Sequence, residues 1–107
     1  MNSEIPLVCD MGVFTPDQRE AHIRATTELM QVSLKVQEVE NGYAFIFPNE
    51  ADFISRITEF VSKERLCCAF LKFMLIVDSN HEPISLSLTG PLGTQEFLRV
   101  EFSEVFT

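Results

Sequence analysis

Apolar positions recur along the chain in two alternating rhythms, one of about 3.6 residues and one of two. Thr15-Pro16-Asp17-Gln18 opens the first helical stretch: Thr15 can cap it, Pro16 suits its first position, and Gln18 completes a capping box. Ile23, Thr27 and Met30 then share a thin stripe, which predicts a shallowly buried helix to about Met30. From Val32 to Glu40, Val32, Leu34 and Val36 alternate with Ser33, Lys35 and Gln37; Asn41-Gly42 signals a hairpin, and Tyr43 to Phe47 returns as its second strand. Pro48 ends that strand. Asn49 is placed to cap a second helix with Glu50 and Asp52 in its first turn, a buried stripe of Phe53, Ile57, Phe60 and Val61, and an end near Cys68.

Phe70 to Val77 is apolar on both faces, with Phe70, Met74 and Ile76 on one and Leu71, Phe73, Leu75 and Val77 on the other. That pattern predicts a strand covered by helices on one side and by a second subunit on the other, hence a possible homodimer. After a turn at Ser79-Asn80-His81-Glu82, the strand residues Ile84, Leu86 and Leu88 alternate with Ser85, Ser87 and Thr89. Gly90-Pro91-Leu92-Gly93 breaks the chain, and a last helix turns Leu98, Phe102, Val105 and Phe106 inward. Met1 to Phe14 has no clean period and reads as a loop or short edge strand. The order α-ββ-α-ββ-α predicts an α+β fold in two layers, a four-stranded mainly antiparallel sheet with helices mostly on one face.

Length and charge narrow the class. The 107 residues suffice for one domain. Ten Phe, one Tyr and no Trp imply a core of rings that need no polar partner. A net charge of −8 repels phosphate backbones, which argues against nucleic acid as a partner. No apolar run approaches the roughly 20 residues of a membrane span, and Met1 to Val13, with Glu4 and Asp10, lacks the basic start of a signal peptide. Three cysteines are an odd count that suits a reducing compartment, so a cytoplasmic protein is expected.

Chemistry concentrates where the hydrophobic pattern is broken. Projected at about 100° per residue, Glu64, Cys67 and Cys68 fall on the buried stripe of the second helix, while Arg65 and Leu66 point away. A carboxyl on a core-facing stripe is costly unless it is paired, protonated or bound to something. Adjacent cysteines there can give soft sulfur ligands to Zn(II), Cu(I) or Hg(II), with Cys9 or His22 arriving from elsewhere in the chain. Glu64, with Arg65, and Asp10 beside Cys9 are candidates for balancing or supporting such a site. The same cysteines also suit small buried hydrophobes, and His22 a half-exposed structural histidine. Thr89 to Thr94 reads as a plain turn and cap, and His81 as solvated.

The segment Glu64-Arg65-Leu66-Cys67-Cys68-Ala69-Phe70-Leu71-Lys72-Phe73 resembles that of small bacterial proteins of uncharacterised function carrying Glu-Arg-x-Cys-Cys-Pro-Phe-x-x-Phe. Leu88-Thr89-Gly90-Pro91-Leu92-Gly93 is similar to their Leu-Thr-Gly-Pro-x-Gly element, and Cys9-Asp10 through Thr15-Pro16 and Arg19 to their opening. Ala69 stands where that family has Pro, which would fix the end of the second helix. The resemblance implies that Glu64, Arg65, Cys67 and Cys68 act as a set, with Cys9 and His22 as further candidate members. Three functions are therefore expected in competition: a protein binding a soft metal or metalloid through its cysteines, a small dimeric interaction module with buried cysteines, and a thiol-dependent enzyme.

Overall fold

The computed structural model describes residues 7–79 and 81–106; residues 1–6 of the opening segment and Asn80 of the Ser79–Glu82 turn lie outside the described residues. Helix α1 (Pro16–Gln31) is followed by strands β1 (Lys35–Val39) and β2 (Gly42–Phe47), helix α2 (Ala51–Cys67), strands β3 (Lys72–Ile76) and β4 (Ile84–Thr89), and helix α3 (Thr94–Glu101). The four strands form one antiparallel sheet in the order β1-β2-β4-β3. This is the expected α+β architecture.

Phe45, Phe47, Ile84, Leu86 and Leu88 rise from the inner face of the sheet into Leu29, Met30, Ile57, Phe60, Leu98 and Phe102 on the helical side. Phenylalanine rings meet edge-on through this layer, Phe60 against Phe73 and Phe102, and Phe45 against Phe102. Buried apolar area here supplies the main driving force for folding. The chain after α3 continues into a short 3-10 turn (Ser103–Val105), which sets Phe106 edge-on against Tyr43 at 4.7 Å.

Local expectations fail at four instructive places. On α1 the buried residues are His22, Leu29 and Met30, while Ile23 is half exposed, so the helix is rotated from the predicted stripe and His22 is a core residue. The first strand starts at Lys35, because Val32 and Leu34 stay exposed and only Val36 of the predicted face reaches the core. The hairpin turn falls on Glu40-Asn41, since Val39 already pairs with Gly42 and Asn41 takes the left-handed conformation (φ 59°). Gly42 is needed for a different reason: a Cβ there would run into the Leu88 carbonyl of β4. Glu50, not Asn49, occupies the N-cap position of α2, without a side-chain capping bond; the Asn49 amide donates instead to the carbonyls of Ser79 (2.9 Å) and Glu82 (2.8 Å), tying the start of α2 to the β3–β4 turn. At the sheet's margin, β3 is an edge strand whose outer face leaves Met74 and Ile76 about half exposed.

Candidate thiol site

The end of α2 builds the site. Phe60, Glu64 and Cys67 follow one another at helical spacing on its buried face, and Cys68 sits at the C-cap, its N–H donating to the Glu64 carbonyl at 2.8 Å. Arg65 and Leu66 project outward, as the helical projection requires. The loop before α1 is fastened here by one short backbone bond, Asp10 N–H to the Cys67 carbonyl at 2.7 Å. That bond carries Cys9 across 59 positions to Cys68, with their Cα atoms 4.3 Å apart and the two sulfurs joined as a disulfide. The odd cysteine of the three is thus the buried thiol of Cys67, with its Sγ 3.8 Å from Cys68 Sγ.

Glu64 completes the cluster. Its Oε2 lies 3.2 Å from Cys68 Sγ and its Oε1 3.8 Å from Cys67 Sγ; one ligand atom each from Cys9, Glu64, Cys67 and Cys68 falls within 4.8 Å of all the others. In the disulfide, Cys68 has no proton to donate, so on reduction its thiol would meet an acceptor already in place. The carboxyl is only 3% exposed, and its partner is His22, whose Nε2 is 2.8 Å from Oε1. Glu64 is therefore held from α1, and the pairing expected with Arg65 is replaced by one with His22. His22 is itself wedged between the rings of Phe14 and Phe60, with centroids at 5.4 and 6.1 Å. Phe14, Phe70 and Phe97 wall the sulfurs.

The remaining expected residue, Asp10, serves the local backbone. Its Oδ1 accepts from Gly12 N–H at 2.9 Å and caps the 3-10 turn Met11–Val13. Of the candidates, then, Cys9, Cys67, Cys68 and Glu64 converge, His22 joins through Glu64, and Arg65 and Asp10 face elsewhere. The pairing of His22 with Glu64 escaped sequence reading because Ile23 competed for the inward stripe. The spacing His22, Thr26, Leu29, Met30 carries the correct alternative.

Burial, and after it the Glu64 carboxyl, push the Cys67 thiol up to about 12, so it holds its proton at neutral pH. Two hollows flank His22. A groove of about 450 Å³ between α1 and α2 has Ala21, Ala25, His22 and Phe60 among its lining residues, and Lys63 bound to Glu59 at its rim. On the other side a cavity of about 90 Å³ runs between His22, Glu64, Thr26, Met30 and Glu101. The Thr26 Oγ1 there is buried without a hydrogen-bond partner, and at the surface end the partial desolvation of Glu101, and after it the Glu64 carboxyl, raise its carboxyl above the ordinary carboxylate range.

No family model, curated protein or solved structure matches this chain. The arrangement defines a class of site, a mostly buried cluster of three cysteines and a carboxyl with ligand atoms close enough together to hold a metal ion, in which Cys9 and Cys68 are joined as a disulfide. Among the described residues, no helix is long and apolar enough to cross a membrane.

Proposed function

We propose that the protein binds a soft metal or metalloid ion through Cys9, Cys67 and Cys68, and that the Cys9–Cys68 disulfide is the closed form of this site. The observation that carries the reading is the convergence of three sulfurs and the Glu64 carboxyl within 4.8 Å, from two distant parts of the chain. Sulfur ligands select soft ions such as Hg(II), Cu(I) and Zn(II) over hard ones. A dithiol reductant would open the site by thiol–disulfide exchange: the S–S bond is reduced to two thiols as the reductant is oxidised to its own disulfide. Glu64, held by His22, supports the ligands from behind, as the outer partners of metal sites do.

The test is a thiol count on protein reduced with a phosphine, with and without Hg(II), Cu(I) or Zn(II). One ion per chain that shields two or three thiols, lost in Cys67→Ser, Cys68→Ser, is the expected result. Full labelling of native thiols at every ion concentration would sink the proposal. A second reading, a homodimer formed over the outer face of β3, is favoured by half-exposed Met74 and Ile76. Light scattering decides it, and Met74→Lys would dissolve such a dimer.

A further inference from the structure

We propose, resting on that reading, that the ion class this site takes is a trivalent metalloid hydroxide, with arsenous acid as the working example. Three features favour it over the divalent and monovalent soft metals. The first is number. Three sulfurs are gathered, and a trivalent metalloid forms three bonds, whereas Zn(II) in closed sites takes four ligands and would have to draw Glu64 away from His22.

The second is charge. Cys67 and Cys68 are 3% and 0% exposed, and among the described residues the buried ionisable side chains beside them are Glu64 and His22. Net charge in such surroundings is expensive. A divalent ion on three thiolates leaves one negative charge, and a monovalent ion leaves two. The metalloid leaves none: one As(OH)₃ and three thiols give one As(SR)₃ and three waters. Three S–H and three As–O bonds break, three As–S and three O–H bonds form, and nothing is oxidised or reduced. Each thiol proton leaves on a hydroxide as water.

The third is access. The cavity of about 90 Å³ is lined by Glu101 at the surface, the unpartnered Thr26 hydroxyl and buried Glu64. Ligand pockets for organic molecules run to roughly 300 Å³ and above. This one is of a size for a small neutral triol rather than an organic ligand, and it stops at Glu64, whose Oε2 lies 3.2 Å from Cys68 Sγ.

The experiment uses the whole chain, reduced with a phosphine so that no reagent thiol competes, and titrated with sodium arsenite, Zn(II) or Hg(II). Expected is one arsenic per chain, with a mass gain of one arsenic less three hydrogens, and all three thiols shielded from maleimide. Each of Cys9→Ser, Cys67→Ser and Cys68→Ser should weaken arsenite binding about tenfold or more, that is by about 1.4 kcal/mol or more. Circular dichroism is used to check that each variant folds, and Thr26→Val, which keeps all three sulfurs, should leave the stoichiometry unchanged. Uptake of Hg(II) or Zn(II) with no arsenite bound would overturn the metalloid assignment and leave the soft-ion reading standing. Arsenite that shields only two thiols, indifferent to Cys9→Ser, would overturn it as well. No ion bound at all would end both.

Discussion

Reducing the Cys9–Cys68 disulfide should destabilise the fold by an amount that the connectivity sets. The bridge spans 59 positions, and a loop of that length costs the unfolded chain about 14 cal/mol/K, or about 4 kcal/mol at 25 °C. With a urea dependence of about 1.5 to 2 kcal/mol per molar for a chain of this size, the unfolding midpoint should fall by about 2 to 3 M on reduction. The quantity to read is the difference between oxidised and reduced protein, because a Ser substitution adds its own cost of burying a hydroxyl. That difference should persist in Cys67→Ser, which keeps the bridge, and vanish in Cys9→Ser, which cannot form it. Cysteines 67 and 68 bridged to each other instead would close a ring too small to restrict the unfolded chain, and reduction would then move the midpoint hardly at all. A shift below about 0.5 M in the wild-type protein would refute the argument.

His22→Leu strips the buried Glu64 carboxyl of its imidazole partner and should cost about 3 kcal/mol; His22→Leu with Glu64→Leu should cost less than the single change, and a urea-melt double-mutant cycle reads the coupling. The folded chain holds the Cys67 proton up to about 12, whereas the unfolded chain releases it near 9, so the stability from this group is full below pH 9 and is lost as pH rises toward 12. Urea melts of Cys9→Ser, Cys68→Ser, where no disulfide can exchange, should show that decline relative to the same background with Cys67→Ala. Gly42→Ala should destabilise by about 2 kcal/mol or more, because its Cβ meets the Leu88 backbone and the β2–β4 ladder must shift; a thermal melt measures it.

Much of the fold was legible because its signals are local. The Thr15 capping box forms as its residue types dictate, Thr15 Oγ1 accepting from Gln18 N–H and Gln18 Oε1 from Thr15 N–H. The alternation of Ile84, Leu86 and Leu88 gives a strand with every second residue buried. Likewise the helical projection was enough to turn Glu64 and Cys67 inward and Arg65 outward. Where two local signals compete, the sequence misleads. Asn49 could serve as a helix cap or reach the β3–β4 turn, and only the arrival of Ser79 and Glu82 beside it decides.

The sequence by itself determined the element order, the α+β class and the fact that a carboxyl and two cysteines must be buried together at the end of α2. A 3.6-residue period needs only neighbouring residues to be read. Tertiary structure alone decided which groups meet them. Cys9 reaches Cys68 through the Asp10–Cys67 backbone bond, and His22 reaches Glu64 through the rotation of α1 against α2. Such contacts depend on how whole elements pack, and packing is set by the summed burial of many side chains across the core rather than by any short stretch of the chain.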